Sequence, residues 1–394
     1  MTRPVAVLLS PVLPQPGGSG RALRAWDWLQ ELSASHEVHV WTAEAEAAGT
    51  AGQWPPGTLL WHGPADVRTP LPWQRRLGWL APSLSVRWPG TVAHWQLPAE
   101  SAPALSAMAA AIGERRVARL VVFRLYLHGV SDWLRARLVV NRAELDLDDW
   151  DSSTLASIAG THWRMGRRVE AALALREAQQ YRALEERVPR NYDAVWLAAP
   201  EDCAAFAGAG LRPNRLAAPA VTPTRSRAAA GLRMLFVGRL DYPPNQEAAL
   251  LLATRIVPLL RQRLALPWTL TIAGARPPAW LLAQLHTTQG VEVVADASDL
   301  APVYAASTVA LLPLAGGGGT KLKTLEALAW GLAVVASPQA VRGLALEAGR
   351  HYLPARTPEE FVQAMLALQA APQRVAALGA AGRIWAETAA KGAL

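Results

Sequence analysis

The sequence of 394 residues holds one cysteine, Cys203. No disulfide can close within it, and no site built from several cysteines can exist. That usage fits a reducing compartment. The eight histidines are scattered. Neither an HExxH pair nor another metal-ligand spacing occurs, so the sequence offers no structural zinc or iron–sulfur site. A Walker A loop is also missing. Charged residues make up only 18% and apolar residues 51%, which excludes disorder over most of the chain. Glycine (29) and proline (30) follow no period, so collagen-like and low-complexity builds fail. Long apolar runs are lacking too. The longest uncharged stretch, 300–320, is broken by Pro302, Pro313 and four consecutive glycines, and a spanning helix does not survive that. Met1–Ser10 has a short apolar run soon met by Pro11, Pro14 and Pro16. It reads as a buried strand and not as a secretory signal. A soluble, cytoplasmic protein is expected.

Lysine is the scarcest charge: 3 Lys against 36 Arg, with a net charge of +8. Net charge speaks to partners and not to fold. Nucleic-acid binding calls for a basic stripe with interleaved aromatics. These arginines are dispersed, so no nucleic-acid partner is expected. A nucleotide or an acidic membrane surface remains as the anionic partner.

Along the chain, Val5–Leu9 reads as a strand and Arg21–Leu32 as a helix with Leu23, Trp26, Leu29 and Leu32 at helical spacing. Glu37–Thr42 reads as the next strand. Strand, glycine loop, helix, strand is a βαβ opening. Arg119–Phe123 and Arg137–Val140 read as further strands, Trp163–Arg187 as a long amphipathic helix, and Asp193–Leu197 as a strand. Residues 212–231 turn to Pro, Ser, Thr and Arg, which marks a linker. A second series follows. Its strands are Arg233–Val237, Thr269–Ala273, Val291–Ala295, Val309–Leu314 and Ala333–Ala336. Its helices are Leu250–Leu264, Leu322–Trp330 and Pro358–Leu368. The expected fold class is α/β, with two Rossmann-like doubly wound domains facing across a cleft. The boundaries are 1–225, 226–375 and a terminal helix, 376–394, packing back on the first domain. Ligands of such sheets sit at the carboxyl ends of the strands.

The strongest chemical signal runs from Pro313 to Glu326. A buried strand enters Gly316, Gly317, Gly318 and Gly319, then Thr320, then a helix with Lys321, Lys323 and Glu326. Glycines admit close approach of the backbone to an anion, and a helix start adds N–H donors and a positive dipole end. Two of the three lysines fall in this one segment. Lysine is a compact point charge suited to phosphate. The bland alternative is a flexible loop with lysines on a solvated helix face.

Arg233–Arg383 resembles the carboxy-terminal domain of GT-B glycosyltransferases of the retaining group 1, family 4 type. The matching stretches include Leu235-Phe-Val-Gly-Arg-Leu240, Tyr242-Pro-Pro-Asn-Gln-Glu247, Leu270-Thr-Ile-Ala-Gly274, Gly319-Thr-Lys-Leu-Lys-Thr-Leu-Glu326 and Gly331-Leu-Ala-Val-Val335. The amino-terminal half resembles the family through Gly17 and Gly18 and through Asp146–Asp149. The resemblance implies that Glu326 binds the donor ribose and Arg239 the diphosphate. The family's accompanying lysine is Asn245 here. Gly318 stands where the family has an acidic residue, so backbone N–H groups would meet the donor sugar instead. Leu322 would flank the nucleotide, and the loop to Asp299 would meet its base. Lys321 and Lys323 would supply the missing charge.

Four weaker constellations complete the reading. Glu144-Leu-Asp-Leu-Asp-Asp149-Trp-Asp151 sets five carboxylates just after an expected strand. It reads either as a solvated loop capping the next helix or as a functional group with Asp149 at the cleft. Gly17 and Gly18 either cradle the donor phosphate or simply turn the chain. His128, after a strand, is either a cleft histidine suited to proton work or an ordinary satisfied one. Residues 72–88 mix Trp with Arg, serving either a membrane surface at the inner face or an acceptor-side loop. The function expected is transfer of a sugar from a nucleotide diphosphate sugar to a glycan or lipid-linked acceptor in surface polysaccharide assembly, with retention, and with neither a metal nor a cofactor. The alternatives are a non-catalytic nucleotide- or glycan-binding relative and a sugar-nucleotide epimerase.

Overall fold

A computed structural model describes residues 3–16, 20–43, 54–63, 102–214, 231–318 and 321–390. Gly17, Gly18, Gly319, Thr320 and the segment 72–88 lie outside the described residues. The chain divides into two compact units. The first comprises Met1–Ala156, Ala172–Arg215 and Gly318–Thr320. The second comprises Ser157–Ala171, Leu216–Gly317 and Lys321–Leu394.

In the first unit, seven parallel strands form one sheet in the order β3-β2-β1-β4-β5-β6-β7. They are β1 (Val5–Ser10), β2 (Glu37–Thr42), β3 (Thr58–His62), β4 (Val117–Phe123), β5 (Ala143–Asp148), β6 (Ala194–Leu197) and β7 (Ala209–Leu211). Between these strands in the chain come α1 (Gly20–Ser33), α2 (Ala102–Ile112), α3 (His128–Arg135), α4 (Asp151–Arg164), α5 (Arg168–Arg187) and α6 (Pro200–Ala205), with Ser157–Ala171 of α4 and α5 counted in the second unit. Every residue of β1 is buried, as a strand covered on both faces requires.

In the second unit, six parallel strands run in the order β10-β9-β8-β11-β12-β13. They are β8 (Leu232–Val237), β9 (Trp268–Gly274), β10 (Val291–Ala295), β11 (Val309–Leu312), β12 (Ala333–Ala336) and β13 (Leu353–Pro354). The helices are α7 (Pro243–Leu251), α8 (Val257–Arg263), α9 (Ala279–His286), α10 (Ala301–Ala306), α11 (Leu322–Ala329), α12 (Pro338–Val341), α13 (Pro358–Ala370) and α14 (Pro372–Ala390). The apolar runs of β11 and β12 are buried throughout.

Three expectations change. Arg137–Val140 is not a strand; it is the turn after α3, with one isolated bridge from Val140 to Val117. The strand there is β5, whose acidic residues hid it. The long helix expected over Trp163–Arg187 is two helices, parted where Gly166 adopts a φ of 76°. Glycine takes that left-handed turn without the Cβ clash other residues meet. The helix expected over Leu250–Leu264 starts earlier, at Pro243, and contains one π-helical turn, Leu252–Ile256, before α8. The terminal helix α14 packs on α11 and β12 of its own unit. Gly379 permits this, since a Cβ there would press into the Gly331 carbonyl. No helix among the described residues is long and apolar enough to cross a membrane.

Candidate active site

In the second unit, β8 ends at Val237 and the chain turns at Gly238. A Cβ at Gly238 would stand 2.7 Å from Asn245 Nδ2. Asn245 is 3% exposed, and its Nδ2 donates to the Arg239 carbonyl at 2.8 Å. It therefore braces the turn that carries Arg239, and its amide is spent on backbone rather than offered to a phosphate. Arg239 is exposed and gripped by Asp241, Nε at 3.0 Å and Nη2 at 2.7 Å. Such a fork fixes the guanidinium in direction.

The glycine loop follows β11. Gly317 has a φ of 111°, a conformation open to glycine and strained for other residues. Its N–H donates to Ser157 Oγ at 2.9 Å, and its carbonyl accepts from Gln339 Nε2 at 2.6 Å. A Cβ at Gly316 would lie 2.8 Å from Thr161 Oγ1 and 3.0 Å from Ser157 Oγ. In the first unit, a Cβ at Gly318 would collide with Thr154 Oγ1. A side chain at position 318 would have to displace Thr154. Thr154, Ser157 and Thr161 share one face of α4 by their spacing of three and four.

Lys321 is buried at the N-cap of α11. Leu322 and Lys323 occupy its first turn, both half-buried. Desolvation pulls the Lys323 ammonium down to about 8, with Lys321 adding to the effect and Glu326 opposing it. Burial holds the Glu326 carboxyl above its ordinary range, against the pull of Tyr304 and Lys323. Tyr304 Oη donates to Glu326 Oε2 at 2.8 Å. Asp299 is exposed, and its Oδ1 accepts from the Ala301 N–H at 2.8 Å, at the start of α10. Its carboxylate thus already has a backbone partner.

The carboxylates of the first unit are not a solvated loop. Glu144, Asp146 and Asp148 alternate along β5 and are 1%, 0% and 6% exposed. Arginines from other elements pair with them. Arg119 Nε meets Glu144 Oε1 at 2.8 Å. Arg24 forks onto Asp146 at 2.7 and 2.8 Å, and Trp28 Nε1 donates to the same carboxylate at 2.5 Å. Arg124 reaches Asp148 at 3.2 Å and Asp149 at 3.4 Å, and pairs with Asp151. Burial works against the charge of Arg24 and Arg124, yet the carboxylates outweigh it and hold both guanidinium groups protonated. Burial raises Asp151 to about 7, against the pull of Arg124. Glu177 is raised to about 8 by burial and by Asp151. Arg124 and Asp148 carry positive φ values of 87° and 63°. Backbone strain of this kind collects at functional sites, here at the carboxyl ends of β4 and β5. Asp149 is the half-buried member of the group. His128 opens α3, its Nδ1 3.6 Å from Asp132 Oδ2 one turn along. Among the described residues, no three His, Cys, Asp or Glu side chains are grouped as a metal site.

Sequence reasoning missed Arg24, Arg124, Ser157 and Tyr304. The hydroxyl spacing on α4 was visible in the sequence; the arginine partners, over 20 residues from their carboxylates, were not.

Residues 231–370 match the family of glycosyl transferases group 1. None of the curated proteins matches the sequence. Solved structures share the fold at low identity. A sucrose-phosphate synthase from Thermosynechococcus elongatus is 15% identical with a TM-score of 0.66, covering 98% of this chain and 94% of that one. The Anabaena protein HepE, in complex with UDP, is 14% identical with a TM-score of 0.60, covering 98% and 95%. An α,α-trehalose-phosphate synthase (UDP-forming) from Burkholderia xenovorans, in complex with glucose-6-phosphate, is 14% identical with a TM-score of 0.56, covering 99% of both chains. The glycine loop and α11 thus lie within the stretch, residues 231–370, that matches the glycosyl transferases group 1 family, in a chain with the GT-B fold.

Proposed function

We propose that the protein transfers a sugar from a nucleotide diphosphate sugar to an acceptor hydroxyl, with retention at the anomeric carbon. One observation carries the reading. The glycine loop after β11 leads into a helix start that holds two buried or half-buried lysines and, one turn on, a carboxylate. Backbone N–H groups and ammonium ions favour the diphosphate, and the carboxylate suits a ribose hydroxyl. Departure of the diphosphate breaks the bond to the anomeric carbon and builds negative charge on the leaving oxygen. Fixed cations lower that barrier because they need no reorganisation as the charge forms. Arg239, Lys321 and Lys323 are the cations in this reading, and no metal is required by it. Lys323, with its pKa near 8, gains a reason to stay protonated once a phosphate lies beside it.

UDP is the first base to test, because HepE is held in complex with UDP. The acceptor is a glycan or a lipid-linked sugar in surface polysaccharide assembly, met in the cytoplasm at the inner face of the membrane. A second reading, a nucleotide-binding relative without turnover, draws on Gly317 and Gly318. The Gly317 N–H is already given to Ser157, and a side chain at position 318 would press on Thr154. Proton NMR of UDP-glucose with the enzyme and a hexose acceptor panel separates the two. Catalysis with retention predicts an α-linked first product. A β-linked first product contradicts retention, and an unconsumed donor that still binds supports the second reading.

A further inference from the structure

Tyr304 is the residue of α10 that turns fully inward. It is 4% exposed, and its ring stacks on Trp330, centroids 5.5 Å apart and planes 5° from parallel. The phenol donates to Glu326 Oε2 at 2.8 Å. Trp330 stands one helical turn beyond Glu326, so the stacked pair holds the phenol over the carboxylate from the same helix. Glu326 is half-buried. Its other oxygen, Oε1, receives no hydrogen bond among the described residues. Glutamate is a long side chain with several rotamers, and leaving it loose costs rotamer entropy when it binds. A tyrosine pinned by stacking has two torsions and little freedom to lose. A phenol hydrogen bond to one carboxylate oxygen therefore selects a rotamer in advance and leaves one oxygen for a ligand.

We propose that Tyr304 is a positioning residue for nucleotide recognition: its phenol pins Glu326 so that Oε1 accepts a ribose hydroxyl of the bound nucleoside diphosphate. The inference rests on the donor-site reading above, ribose contact of Glu326 included, and adds the residue that holds that carboxylate in place. Tyr304 touches no substrate itself. It acts through Glu326, and loss of the phenol leaves the ring and its stack on Trp330 in place.

The test is calorimetric titration of the full chain with UDP, GDP and ADP, then with the 2′,3′-dideoxy form of whichever binds most tightly. Wild type is expected to prefer the ribonucleotide. Tyr304→Phe is expected to weaken the ribonucleotide about fivefold to tenfold, the scale of one ordinary hydrogen bond acting through Glu326. It leaves the dideoxy form within about twofold of its wild-type affinity. Glu326→Gln is expected to lose the same preference, and the double variant to lose no more than Glu326→Gln alone. Equal weakening of both ligands by Tyr304→Phe would mean a structural role and overturn the proposal. So would an unchanged ribonucleotide affinity. A wild type that binds both forms equally keeps the donor site but removes the ribose contact, and the proposal with it. A wild type that binds none of the three diphosphates sinks the donor-site reading itself. That outcome is distinct from a failure confined to Tyr304.

Discussion

Glu177 is 2% exposed, and its Oε1 has no hydrogen-bond partner among the described residues. Burial first, then the nearby Asp151, raises its carboxyl to about 8. A protonated acid in that position has a sign that can be worked out. In the unfolded chain the proton leaves near pH 4.5, and in the folded chain near pH 8. Between those values the folded state binds more protons, so stability falls as pH rises through the window. Asp151, raised to about 7, adds to the same slope over the lower part of it. Glu177→Gln removes the titration and keeps the shape. It is expected to stabilise the protein at pH 8.5 by on the order of a few kcal/mol and to change little at pH 4. Thermal unfolding from pH 4 to 9 checks this, and parallel profiles for the two proteins would contradict it. The arginines of the same unit behave differently. Arg24 and Arg124 keep their charge at any accessible pH, so they set the structure of the carboxylates and do not switch it.

The elements show where sequence patterning is informative. Five of the six strands of the second unit were legible to within a residue or two, because runs such as Val309–Leu312 and Ala333–Ala336 are apolar and buried on both faces; the two-residue β13 was too short to leave a pattern. The strand β5 was not. Its alternating Glu144, Asp146 and Asp148 look like a solvated segment, since acids are depleted from strands. What buries them is Arg24 from α1 and Arg119 and Arg124 from β4 and the turn after it. Such pairing over long separations leaves no mark in a single sequence. A break at Gly166 was likewise overrun by a helical pattern continuing on both sides. At the candidate site, Lys321, Lys323 and Glu326 lie along the opening turns of the helix expected there, whereas Asn245 and Asp299 are engaged with backbone groups. The glycine loop adds a test at this scale. Gly318 is glycine because Thr154 fills the space beside it. Gly318→Asp is expected to cost about 1–3 kcal/mol, as overpacking does, and Thr154→Ala in the same chain is expected to return most of it. Urea unfolding of the three variants decides. If Gly318→Asp alone is neutral, the loop does not pack as described.

At the scale of the whole molecule, there are two parallel sheets of seven and six strands, a kind of sheet whose ligands sit at the carboxyl ends of the strands. The fold is shared with solved structures at 15% identity or less, so packing and not sequence carries the likeness. Fold alone does not name a reaction. The case for a nucleotide diphosphate sugar rests on one short stretch, from Gly316 to Glu326, where a chain poor in lysine places two of its three. Thermal unfolding in the presence of UDP, GDP, ADP or TDP, with Lys321→Ala alongside, tests that claim most directly. A ligand at a hundred times its dissociation constant stabilises by about 2.7 kcal/mol. One diphosphate is expected to raise the transition clearly in wild type and much less in Lys321→Ala. A transition unmoved by all four, or moved equally in both proteins, would contradict the account.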